Sequence, residues 1–206
     1  TSLASEFIMT GKVIDASEQL DSDDENLPID PHIWFNVPLW AKSADYIADS
    51  WSKFDSTNAS YYQSNNESYQ QQLRELDEYI RERVEEVPEN SRYLVTAHDA
   101  FGYFGEEYGF EVIGLLGLNT QTEAGTQDVS NLARFIEENK IKAIFIESSV
   151  PTRTIESLQE AVERSGWEVE IGGELYSDSL GDASQNADTY LKMYRHNIDT
   201  IVEALR

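Results

Sequence analysis

Residues 92–104 read Arg-Tyr-Leu-Val-Thr-Ala-His-Asp-Ala-Phe-Gly-Tyr-Phe, and this stretch decides the fold class. The apolar run at 93–96 is typical of a buried strand, and a helical pattern through Phe101 and Phe104 follows it. A polar His-Asp pair stands between the two patterns. A strand followed directly by a helix is the unit from which α/β sheets are built.

The same alternation continues to the end of the chain. Apolar patterns predict three further strands, at 110–113, 143–146 and 167–171. Helical patterns lie between and after them, at 129–136, 155–162 and 190–205. The run at 143–146 is apolar throughout, as expected of a strand that is covered on both faces. The order of these patterns predicts an α/β fold, a parallel sheet flanked by helices.

A long helical pattern precedes this region. Between Ser60 and Val84, apolar side chains recur at steps of three, four or seven residues, without glycine or proline. A helix of about 25 residues is roughly 37 Å long, which suits a strut between two lobes better than an element of one small domain. We therefore predict an N-terminal region at 1–57, a connecting helix at 58–90 and a C-terminal α/β lobe at 91–206.

The charge of the chain excludes several classes of partner. Asp and Glu number 39 against 15 Lys and Arg, so the 206 residues carry a net charge of −24. Phosphate backbones and anionic lipid headgroups are repelled by such a surface, so we expect no nucleic acid partner. The sequence has no run of 18 or more apolar residues, so we expect no direct membrane insertion. A cationic ligand is favoured by the same field. Cysteine is absent, which excludes disulfides, thiolate metal sites and cysteine nucleophiles.

Polar side chains follow the predicted strands. His98 and Asp99 follow the first strand, Glu147 follows the strand at 143–146, and Asp178 lies in a polar loop after the strand at 167–171. Ligands bind at the carboxyl ends of the strands in open α/β sheets, so we expect these side chains at one edge. An imidazole and several carboxylates are ligands that divalent cations accept.

The chain contains three histidines, and their surroundings differ. His32 lies in the turn Asp-Pro-His-Ile-Trp at 30–34, where the proline restricts the backbone. His32 therefore fits either of two roles, a loop histidine held by the turn or a metal ligand. His98 fits the same two roles, and His196 lies inside the last helical pattern, where a packing role is expected. Glu147 fits a metal ligand, an acceptor for an imidazole N–H, or a helix cap.

Four short motifs occur in a fixed order along the chain. They are 30–34 (Asp-Pro-His-Ile-Trp), 96–104 (Thr-Ala-His-Asp-Ala-Phe-Gly-Tyr-Phe), 145–150 (Phe-Ile-Glu-Ser-Ser-Val) and 171–178 (Ile-Gly-Gly-Glu-Leu-Tyr-Ser-Asp). Together they resemble the zinc- and manganese-binding solute receptors of bacterial ABC importers, the TroA-like family, from about Val13 onward. The resemblance implies two α/β lobes joined by one long helix. It also implies extracytoplasmic capture of a metal for an ABC importer permease, by a periplasmic protein or a cell-surface lipoprotein.

The resemblance implies a ligand set as well. His32, His98 and Asp178 match the positions that hold the metal in the family, with Zn²⁺ or Mn²⁺ as the transported ligand. Family members carry a further histidine ligand upstream of the first motif, and no histidine precedes His32 in this chain. We therefore expect the region at 1–57 to be the remnant of an N-terminally truncated lobe, and we expect a partial site with a lower affinity than the intact receptor.

Two other classes of function remain open at this point. Two histidines and a carboxylate with an open position also form catalytic zinc sites, in which Glu147 would be the general base of a hydrolase. No HExxH cluster accompanies these residues, so we expect no enzyme. The other class is an adhesion or interaction domain that needs no metal.

Overall fold

The computed structural model describes residues 30–118 and 124–206. The first half of the predicted lobe remnant at 1–57 therefore lies outside the described residues. The chain divides into two compact units, Thr1–Asp77 and Glu78–Arg206. The predicted division at 57 and 90 stays a prediction.

The first unit begins, in its described part, with the turn that carries the first motif. A short 3₁₀ turn at Ile33–Phe35 leads into helix α1 (Val37–Phe54). The Asn36 side chain caps this helix, because its Oδ1 accepts a hydrogen bond of 2.9 Å from the Leu39 N–H. A proline in the first turn adds to the same start signal.

Helix α2 spans Ala59–Val84 and is the long helix that the periodicity predicts. Its 26 residues extend the predicted helix by one position at the start. Within it, Leu73, Leu76 and Ile80 are fully buried, which confirms the apolar stripe of the sequence pattern. The boundary between the two units falls inside this helix.

Polar contacts join α1 to the first half of α2. Asp45 Oδ1 accepts hydrogen bonds from Asn66 Nδ2 at 2.6 Å and from Gln70 Nε2 at 2.9 Å. Trp40 Nε1 donates to the Tyr69 hydroxyl at 2.9 Å. Side-chain amides and carboxylates therefore fix the register of these two helices.

Within its described residues, the second unit has four strands: β1 (Tyr93–His98), β2 (Glu111–Leu116), β3 (Ala143–Glu147) and β4 (Glu170–Leu175). Strand β1 pairs with β2 and β3 pairs with β4, both in parallel, and β1 lies beside β3. The helices of this unit are α3 (Gly102–Tyr108), α4 (Thr126–Glu138), α5 (Arg153–Ser165) and α6 (Tyr190–Leu205). The predicted α/β class with a parallel sheet is confirmed.

The core of this unit lies between strands and helices. Val95 and Ile144 of the central strands pack in one cluster with Leu132 of α4 and Leu158 of α5. Helix α6 lies against β4 and buries its own apolar stripe, including Ile198. The carboxyl ends of β1 and β3, which carry two of the candidate site residues, are therefore held by a packed core.

Strand β4 differs from its prediction. The prediction placed it at 167–171, whereas the observed strand is Glu170–Leu175. Trp167 is held by its side chain, since its Nε1 donates to the Ile141 carbonyl at 2.8 Å. The glycines at 172 and 173, predicted to follow the strand, lie within it, and Gly173 adopts φ +140° beside a shift of register. Pairing with β3 thus overrides the low strand propensity of glycine.

Candidate metal centre

His98 is the last residue of β1 rather than the first residue after it, and its side chain is buried. Thr96 Oγ1 donates to the His98 carbonyl at 2.8 Å, and the Asp99 N–H donates to the Leu116 carbonyl at 3.1 Å. Gly114 of β2 passes close to this turn, where a Cβ atom would lie 2.5 Å from the Asp99 nitrogen. Glycine at 114 therefore allows the close approach that fixes the backbone at His98.

Glu147 ends β3 and lies directly behind His98. Its Oε1 accepts a 2.8 Å hydrogen bond from the His98 backbone N–H, and its Oε2 lies 2.7 Å from His98 Nδ1. The Glu147 side chain is 0% exposed. This confirms the interpretation of Glu147 as a carboxylate that holds an imidazole. A carboxylate at Nδ1 favours the proton on that nitrogen, which leaves the lone pair of the neutral ring on Nε2.

Asp178 faces the other nitrogen of the same ring. Its Oδ1 lies 3.5 Å from His98 Nε2, and its side chain is 41% exposed. The structure therefore brings together His98, Glu147 and Asp178 at the carboxyl edge of β1, β3 and β4, as the sequence predicts. The buried imidazole is backed by one carboxylate and faces a second carboxylate that is open to solvent.

The two carboxylates change the acidity of the imidazole. Burial of the ring lowers the pKa of His98, but the contact with Glu147 and the charge of Asp178 act in the opposite direction and outweigh it. The net effect raises the pKa of His98 above its ordinary value of 6.5. The same negative field that retains a proton on the ring also attracts a divalent cation to it.

His32 lies in the first unit, at the start of the turn at Ile33–Phe35, and is buried. Asp30 Oδ1 accepts a 2.9 Å hydrogen bond from the His32 N–H and lies 2.6 Å from His32 Nδ1. The ring packs edge-on against Trp34 with centroids 5.2 Å apart. The turn therefore holds this imidazole by local contacts, and the carboxylate at Nδ1 favours a neutral ring with its lone pair on Nε2.

His196 has the packing role that the sequence predicts. Its Nε2 lies 3.0 Å from the Glu174 carbonyl oxygen, and its ring lies against Tyr176 at a centroid distance of 5.0 Å. Both contacts hold the end of β4 to helix α6. His196 is thus a structural neighbour of the Asp178 loop.

Sequence reasoning did not single out Asn197, which is also close to the loop. Its carboxamide binds both backbone groups of Tyr176. Its position in the sequence could have indicated its role, because Asn197 lies in the buried stripe of α6 between Tyr194 and Ile198. A polar residue on an apolar helix face needs a buried partner.

The comparisons with known proteins agree with the fold and the motifs. A sequence profile described as ZnuA, zinc-uptake complex component A periplasmic, matches residues 3–204. The zinc-binding protein TroA of Treponema pallidum (strain Nichols) is 46% identical over 198 residues, which cover 96% of this chain and 64% of TroA. The manganese-binding lipoprotein MntA of Bacillus subtilis (strain 168) is 44% identical over 182 residues, which cover 88% of this chain and 60% of MntA.

A solved structure matches over nearly the whole chain. It is the periplasmic zinc binding protein TroA from Treponema pallidum, with a TM-score of 0.87 and 46% identity over 95% of this chain and 70% of that one. The chain spans 60–64% of the length of the two curated relatives named above. No helix within 30–118 and 124–206 has the length and apolar composition that crossing a bilayer requires. With the profile matched over almost all of its residues, the chain belongs to the ZnuA family of periplasmic zinc-uptake components.

Proposed function

We propose that this protein is an extracytoplasmic receptor that captures Zn²⁺ or Mn²⁺ and delivers it to the permease of an ABC importer. Its relatives support this role, since TroA is named for zinc binding and MntA for manganese binding. The name of MntA as a lipoprotein and that of the TroA structure as periplasmic support a location outside the cytoplasm.

The observation that carries the proposal is the surroundings of His98. Its Nδ1 contacts the buried carboxylate of Glu147, and its Nε2 faces the Asp178 carboxylate at 3.5 Å. An imidazole held in this way presents a fixed lone pair beside an anionic oxygen, which is how outer carboxylates orient metal ligands. His98 and Asp178 therefore supply one nitrogen and one oxygen ligand in the proposed site.

The proposed ligand set includes His32. Asp30 holds its Nδ1, so the ring favours the same tautomer as that of His98, with the proton on Nδ1 and the lone pair on Nε2. Two imidazoles and a carboxylate suit Zn²⁺ and Mn²⁺, and the general order of affinities favours Zn²⁺. Selection of Mn²⁺ would thus depend on geometry and availability.

Capture suits this geometry better than catalysis. A hydrolase would need Glu147 as the general base on a metal-bound water. Here one oxygen of Glu147 accepts from the His98 backbone and the other contacts the His98 ring. The carboxylate that a hydrolytic mechanism requires is thus engaged in positioning His98.

Titration calorimetry with ZnCl₂ and MnCl₂ tests the proposal on the wild-type chain and on His98→Ala and Asp178→Asn. We expect both substitutions to weaken binding by more than the roughly 10–100-fold that loss of an outer partner costs. Asp188→Asn is the matched control, because Asp188 is also a partly exposed carboxylate but pairs with Lys192. Wild-type affinity in this control is the expected result.

Two outcomes would remove the proposal. One is equal heats for the wild-type chain, His98→Ala and Asp178→Asn, which would show that these side chains hold no metal. The other is metal-dependent hydrolysis of a test ester or peptide that is lost in Glu147→Ala, which would favour the hydrolase.

A further inference from the structure

The position of Asp178 depends on the two residues that precede it. Strand β4 ends at Leu175, whose carbonyl accepts a 3.0 Å hydrogen bond from the Ser148 N–H. Tyr176 and Ser177 then connect the strand to Asp178. Whatever holds these two residues therefore determines where the Asp178 carboxylate lies.

Asn197 of helix α6 holds the backbone of Tyr176 on both sides. Its Oδ1 accepts a 2.9 Å hydrogen bond from the Tyr176 N–H, and its Nδ2 donates to the Tyr176 carbonyl at 2.7 Å. The asparagine is only 2% exposed. The carboxamide thus pairs with both backbone groups of Tyr176, as a neighbouring strand would, at the position where the chain leaves the sheet. This role needs one donor and one acceptor in the same side chain, which a carboxylate or an apolar side chain lacks.

A second contact holds the other residue of the connection. Ser149, which follows β3, places its Oγ 2.7 Å from the Oγ of Ser177. Ser177 is buried, whereas Ser149 is exposed. The connection to Asp178 is therefore tied to helix α6 at one residue and to the end of β3 at the next.

The helix that carries Asn197 is itself anchored. Asp199 Oδ1 accepts hydrogen bonds from the Tyr79 hydroxyl at 2.6 Å and from Arg83 Nε at 2.9 Å, both in the last turns of α2. The Arg195 guanidinium lies over the Tyr79 ring, 4.1 Å from its centroid. All of these residues belong to the second unit. Asn197 is consequently held in place, because the helix that carries it is fixed to the last turns of α2.

We propose that Asn197 is a positioning residue for metal capture, which sets the Asp178 carboxylate opposite His98 Nε2 by fixing the backbone of Tyr176. This inference rests on the proposed function, because it assigns a purpose to the placement of a proposed ligand. Asn197 itself is not one of the proposed ligands.

A double-mutant cycle on Zn²⁺ affinity tests the inference. We expect Asn197→Leu, which has a similar size and no polar group, to weaken binding about 10–100-fold in the wild-type chain. In the Asp178→Asn background the same substitution should have no further effect, because the ligand that it positions has been removed. An equal loss in both backgrounds would indicate a general structural role and would overturn the inference.

Amide hydrogen exchange of the metal-free chain provides a second readout that does not require metal. The Tyr176 amide should exchange slowly in the wild-type chain and rapidly in Asn197→Leu, while the Leu94 amide of β1 stays protected. An unchanged exchange rate of the Tyr176 amide in Asn197→Leu would contradict the role assigned to Asn197. This measurement stays informative even where the wild-type chain binds no metal, an outcome that would remove the proposed function.

Ser149→Ala covers the case in which Asn197→Leu fails to fold. It removes one hydroxyl from an exposed side chain, and we expect a few-fold weaker Zn²⁺ affinity that disappears in the Asp178→Asn background. The positioning role would be overturned if Ser149→Ala, and Asn197→Leu where it folds, bound Zn²⁺ with wild-type affinity while Asp178→Asn bound it more weakly. That result would leave the proposed function in place.

Discussion

The turn around His32 and the strand end around His98 hold their imidazoles with the same chemistry and different architecture. In both, a carboxylate oxygen lies within 2.7 Å of Nδ1. Asp30 is two residues from His32, and its side chain is 20% exposed. Glu147 is 49 residues from His98 and is fully buried. The first contact is a property of a turn, whereas the second exists only once β1 and β3 lie side by side.

This difference predicts unequal consequences for equal substitutions. A buried carboxylate has no water to replace a lost partner, so its removal leaves unsatisfied groups behind. A partly exposed carboxylate in a turn is readily replaced by solvent. The two sites therefore offer a direct comparison of buried and local support for a histidine.

Among the substitutions that compare the two histidine surroundings, the largest effect is expected for Glu147→Gln. The substitution keeps the size of the side chain and removes the charge at His98 Nδ1. We expect Zn²⁺ affinity to fall about 10–100-fold and the free energy of unfolding to fall by about 1–3 kcal/mol. Calorimetry and urea unfolding measure the two quantities. The matched control is Glu138→Gln on the exposed surface of α4, and wild-type behaviour of Glu147→Gln would remove the distinction between the two regions.

The next effect concerns pH, because the pKa of His98 is raised. Metal binding displaces the ring proton, so affinity should fall by about tenfold per pH unit once the pH drops below that pKa. The stability of the metal-free chain should respond in the opposite sense. The stabilisation from protonated His98 is fully present below the ordinary value of 6.5 and is lost as the pH rises through the raised value.

NMR titration of the His98 ring in the metal-free chain checks this prediction. Glu147→Gln should move the midpoint to lower pH, because it removes the strongest contact that favours the protonated ring. A midpoint that stays in place would show that Glu147 does not control the titration. Zn²⁺ affinity that is constant from pH 8 to about pH 5.5 would contradict proton competition.

A smaller effect is expected for Asp30→Asn. The amide oxygen still accepts from the His32 N–H and the turn stays intact, so only the charge at Nδ1 is lost. We expect Zn²⁺ affinity to fall no more than about fivefold, in line with the roughly 1 kcal/mol net contribution of a single hydrogen bond. Competition with a chelating dye measures this change. A loss as large as that of Glu147→Gln would show that distance along the chain does not decide how a histidine is supported.

The smallest effect sets the baseline of the comparison. Arg164 and Glu160 form an exposed pair within helix α5, with a closest distance of 3.7 Å. We expect Arg164→Ala to change the stability by less than about 0.5 kcal/mol and to leave Zn²⁺ affinity unchanged. Thermal unfolding and calorimetry measure both. A clear loss of affinity would mean that surface charges, rather than the two carboxylates behind the histidines, dominate metal binding.

The same contrast explains how much the sequence reveals. The long helix, the parallel α/β pattern and the edge that collects His98, Glu147 and Asp178 follow from local periodicity and from the rule for strand ends. The assignment of His32, His98 and Asp178 as a ligand set came from a resemblance of motifs, and it stays a proposal.

The rest depends on contacts that no local pattern contains. Strand β4 is displaced from its predicted position because pairing with β3 begins at Glu170 and continues through two glycines. Asn197 was missed because its partner, the backbone of Tyr176, is 21 residues away and is defined only after α6 packs on β4. Local propensity therefore finds the elements, and tertiary pairing decides their ends.

The edge-on contact between the rings of His32 and Trp34, with centroids 5.2 Å apart, gives the molecule an intrinsic optical sensor. In the proposed site, a metal ion bound at this imidazole would alter the electric field at the neighbouring indole and thereby its emission. If His32 binds metal as proposed, Trp34 fluorescence would therefore report that binding without any added dye, in a chain that holds three other tryptophans.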